Sequence, residues 1–273
     1  MRIDNWTIGS DFEVFIQDSN TKKLISAAGD ESTHFLPRIP GTKYDPFYVD
    51  DAKQFAYEVD NVSAEMLIPP CKDAVTFRKN IRYIMNYLEG KLHAGYKLLP
   101  IASATFDLDQ LLTETATTFG CDRDMNAWTK DFNPRPDTNT MLRSNGFHIH
   151  IGYDKPNLAT SIELIKAMDI YAGVGSLFAD FDTDRRKLYG KAGAFRIKEY
   201  GVEYRTLSSA LLQTDELIEW AFNATVSAIN FVNSGNKIKV GEGKLIQDAI
   251  NNNNMKVARE LYNISEPSQL VTA

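Results

Sequence analysis

Apolar and polar residues alternate along several short stretches of the chain. In "SDFEVFI", Phe12, Val14 and Ile16 alternate with Asp11 and Glu13. A strand directs successive side chains to opposite faces, so this pattern predicts a strand with one apolar and one acidic face. The stretch "FIQDSNTKKLISAAGD" then continues through a polar turn into more apolar residues. This order predicts a β-hairpin.

Apolar residues at spacings of three and four predict helices elsewhere. The clearest helix runs from Asp73 to about Gly95. A capping-box pattern at Thr160 predicts a second helix that continues to about Phe181. A third helix begins at Thr214, and one or two short amphipathic helices follow in the last 30 residues. Strands and helices do not alternate regularly, which favours an α+β fold with a largely antiparallel sheet.

Four stretches of strand-like sequence present polar residues on one face. In "GFHIHIG" the two histidines are separated by one isoleucine, and for this motif alone a solvent-exposed strand face is as plausible as a site. The same alternation recurs in "SDFEVFI", "YEVDNVSAEMLIPP" and "GVEYRTLSS". We therefore predict one sheet whose polar face is a functional site. Its polar residues are Asp11, Glu13, Glu58, Asp60, Glu65, His148, His150, Glu203 and Arg205.

Carboxylates combined with histidines and no thiolate suit hard divalent cations such as Mg²⁺ or Mn²⁺. A basic, glycine-containing stretch, "DRRKLYGKAGAFRIKEYGVEYR", precedes and enters the last of these strands. Such a loop suits the phosphates of a nucleotide. The alternative is a solvent-exposed loop whose positive charge is balanced by nearby aspartates. This alternative fits Arg185 and Lys187 better than it fits Arg196 and Arg205.

The composition narrows the possible partners. A net charge of −6 argues against binding to nucleic acid or to an anionic membrane. The chain contains no apolar run of the length that spans a bilayer, and its first residues do not resemble a secretory signal. Its two cysteines, Cys71 and Cys121, form no CxxC motif. We therefore expect a cytoplasmic protein. P-loop, Rossmann and HExxH motifs are missing from the sequence.

Several segments together resemble the phage-type carboxylate–amine (COOH–NH2) ligases. This amidoligase family belongs to the glutamine synthetase and glutamate–cysteine ligase superfamily. The similar segments are "GSDFEVF", "VDNVSAEM", "FGCDRDMNAW", "LRSNGFHIHIG" and "RRKLYGKAGAFRIKEYGVEYRTLSS". The resemblance extends over about residues 7–235 and implies a curved, largely antiparallel sheet with helices on its convex face. It places a single catalytic domain in residues 1–240 and a helical extension in residues 241–273.

The resemblance also implies a reaction. ATP phosphorylates a carboxylate, and an amine then attacks the acyl phosphate to form an amide or peptide bond. The implied cofactors are ATP and Mg²⁺, with Mn²⁺ as a substitute, and the implied partners are small-molecule or peptide substrates. A phage-encoded protein of this kind would act in the host cytoplasm, and an oligomer is compatible with the superfamily.

The family pattern implies a role for each matching residue. The implied metal ligands are Asp11, Glu13, Glu65, His148 and Glu203, with Asp60 as a nearby candidate. The implied ATP-binding residues are His150, Arg196, Arg186 and Lys191, and the implied catalytic residues are Arg205, Arg196 and Glu203. Arg143 is a further candidate. Trp128, Phe132 and Pro134 are expected to shape a lid, and we expect a structural role for Cys121.

Two other functions are compatible with the same residues. A metal-dependent hydrolase would use the histidines and carboxylates to activate water, and it would need neither ATP nor the basic loop. A phage structural or binding protein could keep the fold without the chemistry. The complete set of acidic, histidine and arginine positions favours the ligase.

Overall fold

A computed structural model describes residues 2–29, 39–117, 123–136 and 140–265. Its main sheet has ten strands and is open, and its strand pairs are antiparallel. The predicted α+β class with a largely antiparallel sheet is therefore confirmed. The strands are β1 (Thr7–Asp18), β2 (Leu24–Ile25), β3 (Phe47–Tyr48), β4 (Ala56–Asp60), β5 (Ser63–Cys71), β6 (Tyr96–Leu99), β7 (Ser103–Thr105), β8 (Met125–Asn126), β9 (Leu142–Ser144), β10 (Phe147–Gly152), β11 (Ala194–Lys198) and β12 (Gly201–Tyr204).

The strand order places distant parts of the sequence side by side. It runs β3-β4-β5-β1-β10-β12-β11-β8, with β2 and β6 also paired to β1. The pairing of β1 with β2 confirms the predicted first hairpin. Strands β4 and β5 form a second hairpin, whose turn contains Asn61 with a positive φ of 55°. Strands β7 and β9 form a separate two-stranded sheet.

Helices pack against the apolar side of the main sheet. Buried residues of β1, β10 and β12 form one hydrophobic core with residues of three helices, α1 (Ala74–Glu89), α3 (Leu158–Met168) and α5 (Asp215–Asn233). None of the helices in the described ranges is long and apolar enough to cross a membrane. The helices are α1 (Ala74–Glu89), α2 (Glu114–Thr117), α3 (Leu158–Met168), α4 (Arg185–Leu188), α5 (Asp215–Asn233), α6 (Val240–Asn251) and α7 (Met255–Ser265).

Side-chain caps determine where the long helices begin. Asp73 caps α1 and Thr214 caps α5, as the sequence predicts. The predicted start of the next helix at Thr160 is wrong, because the Asn157 side chain accepts a hydrogen bond from the Thr160 amide and the helix begins at Leu158. This helix continues as a π-helix over Asp169–Val174. The first helix ends at Glu89, before the predicted Gly95.

The last two helices form a smaller core of their own. Ile246, Ala249 and Ile250 of α6 pack with Ala258 and Leu261 of α7. The same cluster includes Val174, Leu177 and Ala192, so these helices cover the π-helix and part of the basic loop. The division of the chain at residue 240 stays a prediction, although α6 begins there.

Candidate active site on the polar face of the sheet

The strand register brings the predicted polar residues onto one face. Glu13 of β1 lies opposite Glu65 of β5, and Glu65 lies opposite Glu58 of β4. On the other side of β1, His150 of β10 lies opposite Glu203 of β12. Directly opposed residues of antiparallel strands share a face. The apolar residues between them are buried on the helical side, so each strand contributes to the core and to the polar face together.

Asp11 lies between the two histidines of β10. Its Oδ1 is 2.7 Å from His148 Nδ1, and its Oδ2 is 3.0 Å from His150 Nε2. Burial would raise the pKa of Asp11, but the two histidines outweigh burial and hold the pKa well below its usual value. Asp11 is therefore an ionised carboxylate at neutral pH.

The two histidines have different electrostatic environments. Burial, followed by the positive charge of Arg205, lowers the pKa of His148, so this ring is neutral and suited to ligate a cation. Burial also acts to lower the pKa of His150, but Asp11 outweighs it and the pKa is raised. The Tyr200 hydroxyl lies 2.5 Å from His150 Nδ1 and orients the ring. Sequence reasoning gave no role to Tyr200.

Glu203 is fully buried between two cationic side chains. Its Oε1 accepts a hydrogen bond from Arg205, and its Oε2 lies 2.7 Å from Lys198 Nζ. Burial and the charge of Asp11 raise the pKa, but Arg205 and the histidines outweigh them and lower it to about 2. In the sequence, Lys198 stands out only as part of the basic stretch. The structure places it on the polar face.

Carboxylates crowd the other half of the face. Burial, followed by the charge of Asp60, raises the pKa of Glu13 to about 7. Burial and four neighbouring carboxylates raise the pKa of Glu65 well above its usual value, and burial raises that of Glu58. Such crowding is unfavourable without a compensating positive charge. A divalent cation would supply that charge.

Among the residues that the structure describes, two groups of side chains have the composition and spacing of a metal site. One consists of Asp11, Glu65 and His148, and the other of Asp11, His150 and Glu203. In each group the potential ligand atoms lie within 4.8 Å of one another. Carboxylate and imidazole donors suit Mg²⁺ or Mn²⁺, so these residues fit the cation that the sequence predicts. The two groups share Asp11.

Asp124 is a site residue that the sequence analysis missed. It is buried, and its Oδ1 lies 2.8 Å from Arg205 Nε and 3.5 Å from Arg196 Nε. It therefore holds two of the predicted arginines beside the metal-binding groups. Its position within "FGCDRDMNAW", one of the segments similar to the ligase family, was the available signal. Cys121 of the same segment lies outside the described residues.

The remaining basic residues occupy different positions. Arg186 lies away from the polar face, because its guanidinium donates to the carbonyl oxygens of Thr206 and Ile250. Lys191 lines a small cavity beside the polar face, together with Arg123 and Arg135.

The alternative of a solvated loop does not hold for Arg185. Its side chain is buried and donates to the carbonyl oxygens of Asn145, Thr206 and Arg205. Buried backbone carbonyls need donors, which explains why a guanidinium occupies this position. Arg143 is also buried, and its Nε donates to Asn61 Oδ1 at 2.8 Å. A cavity on the polar face is lined by Glu13, Asp60, Arg143, His148, Arg185 and Arg205.

Comparison with known proteins supports the family resemblance. Residues 142–234 match the family model described as Phage phiEco32-like COOH.NH2 ligase-type 2. This region includes the histidine strand β10 and the hairpin of β11 and β12. The match confirms the resemblance over about one third of the chain. No curated protein matches the chain.

Three solved structures are similar to the chain at low sequence identity. A structure described as apo GmaS without ligand is 11% identical to this chain, with a TM-score of 0.40. The match covers 95% of this chain and 66% of the GmaS chain. A glutamine synthetase from Plasmodium falciparum is 12% identical, with a TM-score of 0.34 and coverages of 82% and 52%. A novel glutamine synthase homolog is 13% identical, with a TM-score of 0.36 and coverages of 95% and 66%. The chain thus spans less than two thirds of the length of these structures.

Proposed function

We propose that the chain is an ATP- and Mg²⁺-dependent ligase that joins a carboxylate to an amine. The observation that carries the proposal is the single polar face shared by β1, β5, β10 and β12. This face combines two potential cation-binding groups with the Arg205 guanidinium, which lies beside His148 and Glu203. The family match over residues 142–234 supports a carboxylate–amine ligase in general. The substrates are accordingly small molecules or peptides.

The reaction has two steps. An oxygen of the substrate carboxylate attacks the γ-phosphorus of ATP, and the bond from that phosphorus to the β,γ-bridging oxygen breaks to release ADP. The substrate amine then attacks the acyl carbon, the amide forms, and inorganic phosphate and a proton leave. When bound, Mg²⁺ neutralises phosphate charge during the transfer.

The residues of this chain provide position and charge. Asp11, Glu65, His148 and Glu203 would hold the cation, with Glu13 beside them. Phosphoryl transfer depends mainly on such positioning and on charge neutralisation.

Arg205 is placed to neutralise charge that develops during phosphoryl transfer. Its guanidinium is fixed by Glu203 on one side and by Asp124 on the other. Arg196, held by the same Asp124, and His150 are placed to contact the phosphates. A guanidinium held by two carboxylates loses little entropy when it meets an anion, so the site is organised before substrate binds.

Hydroxylamine trapping tests this proposal. The protein is incubated with ATP, Mg²⁺, hydroxylamine and a panel of carboxylates, and both hydroxamate and ADP are measured. We expect the two products in equal amounts, because hydroxylamine intercepts an acyl phosphate. Glu203→Gln should abolish both products, whereas Glu199→Gln, at an exposed position of the same hairpin, should leave them unchanged. Hydrolysis of a panel member without ATP would instead indicate a metal-dependent hydrolase.

A further inference from the structure

Asp169 is a buried carboxylate with no role in the proposed reaction. It lies at the start of the π-helix, behind the sheet, and is fully buried. Its Oδ2 accepts a hydrogen bond from Trp128 Nε1 at 2.6 Å, and its Oδ1 accepts one from the Tyr204 hydroxyl at 2.7 Å. Burying a carboxylate is costly unless its hydrogen bonds are satisfied. Its two side-chain donors belong to the two segments that carry the Asp124–Arg205 pair.

Trp128 belongs to a small hairpin whose base carries Asp124. The Asn126 amide donates to the Asp131 carbonyl at 2.8 Å, and the Asn133 amide donates to the Asp124 carbonyl at 2.8 Å. Strand β8 of this hairpin stands last in the strand order and pairs with β11 at two positions. Two such pairs hold a segment weakly, so its position depends on other contacts.

The indole of Trp128 provides several of those contacts, in addition to the hydrogen bonds that the Asn126 side chain and the Ala127 amide donate to the Ala192 and Gly193 carbonyls. A Cβ atom added at Gly193 or at Gly243 would lie 2.6 Å from the indole ring, so the ring packs directly on the backbone of the basic loop and of α6. The Lys166 ammonium lies 5.6 Å from the ring centre on another side. The ring therefore joins the hairpin to three separate elements, and its N–H is directed to the buried Asp169.

We propose that Trp128, anchored by Asp169, is a positioning residue that holds Asp124 against the Arg205 guanidinium. The tryptophan touches neither the cation-binding groups nor Arg205 among its described contacts, and it acts through the hairpin that carries Asp124. This assignment differs from the lid role that the sequence suggested for Trp128. Its effect on activity rests on the proposed ligase function.

Two matched variants remove one bond each from the same carboxylate. Trp128→Phe removes the indole N–H and frees the hairpin. Tyr204→Phe removes the other hydrogen bond to Asp169, but Tyr204 is held in β12 by register with Ile149 on one side and Phe195 on the other. A loss of stability alone would affect both variants, whereas a loss of positioning would affect only Trp128→Phe.

Hydrogen–deuterium exchange and hydroxamate kinetics are measured together on the full chain. We expect Trp128→Phe to exchange faster over residues 123–128 and to lower kcat about ten-fold, with Tyr204→Phe within about two-fold of the wild type. Equal effects of both variants, or wild-type exchange in Trp128→Phe, would overturn the proposal. If the wild type forms no hydroxamate, the ligase function fails, and the exchange rates over 123–128 still decide whether Trp128 holds the hairpin.

Discussion

Replacing Glu13 by Gln should stabilise the metal-free protein and weaken its response to Mg²⁺. Burial, and then the charge of Asp60, raises the pKa of Glu13 from 4.5 to about 7. Glutamine has nearly the same shape and no charge. It can still accept the hydrogen bond that the Gly146 amide donates to Glu13 Oε2 at 2.6 Å. The variant therefore loses an electrostatic cost and keeps the hydrogen bond.

The pKa shift determines the size of the effect and its pH window. One pKa step corresponds to about 1.4 kcal/mol, so the shift from 4.5 to about 7 corresponds to about 3 kcal/mol. Because the pKa is higher in the folded state, the wild type loses this stability as pH rises from about 4.5 through about 7. Glu13→Gln lacks this loss. The two proteins should be equally stable near pH 4 and differ by about 3 kcal/mol near pH 8.

Urea unfolding followed by circular dichroism, in EDTA and in excess Mg²⁺, measures both parts of this prediction. Mg²⁺ should raise the free energy of unfolding of the wild type more than that of the variant, because a bound cation stabilises the state that binds it. Glu199→Gln removes the same charge from an exposed position and is the control. The reasoning is refuted if Glu13→Gln is no more stable than the wild type in EDTA near pH 8, or if Mg²⁺ stabilises both equally.

Three further predictions concern other residues of the site and its support. A Cβ added at Gly146 would lie 2.1 Å from His148 Nε2, so Gly146→Ala should displace the ring and lower Mn²⁺ affinity at least ten-fold by calorimetry; wild-type affinity would argue against His148 as a ligand. Lys198→Met should tighten Mn²⁺ binding about three-fold to ten-fold, because Lys198 competes for Glu203 through a partly exposed ion pair worth roughly 1 kcal/mol; weaker binding would contradict this. Burial raises the pKa of Asp169 to about 7, so the wild type should lose stability as pH rises from about 4 through about 7. Asp169→Asn should flatten that profile in thermal unfolding, and parallel profiles would contradict it.

Local sequence patterns predicted the polar face because a strand separates its two faces by simple alternation. Asp11, His148 and Glu203 each lie in a strand whose opposite face is apolar, so their shared orientation follows from the period of two. The pairing of these strands also follows from the need to bury those apolar side chains together. The strand register decides which carboxylates lie beside which histidines. Alternation alone does not predict this register, and the structure shows it.

These local patterns could not predict contacts between distant segments. Asp124 pairs with Arg205 across a large part of the chain, and its own segment is irregular, so no periodicity marks it. Arg185 has the sequence context of a solvated residue, yet backbone carbonyls from two other segments enclose it. The start of α3 was misplaced because both Asn157 and Thr160 are good capping residues, and local sequence alone did not distinguish them.

Anomalous diffraction from crystals soaked with Mn²⁺ and a non-hydrolysable ATP analogue would locate the cation and the nucleotide relative to the polar face of the sheet. We expect Mn²⁺ peaks beside Asp11, Glu65, His148 and Glu203, with the γ-phosphate of the analogue beside Arg205. Mn²⁺ or nucleotide bound only elsewhere on the protein, with the polar face of the sheet left empty, would contradict this expectation.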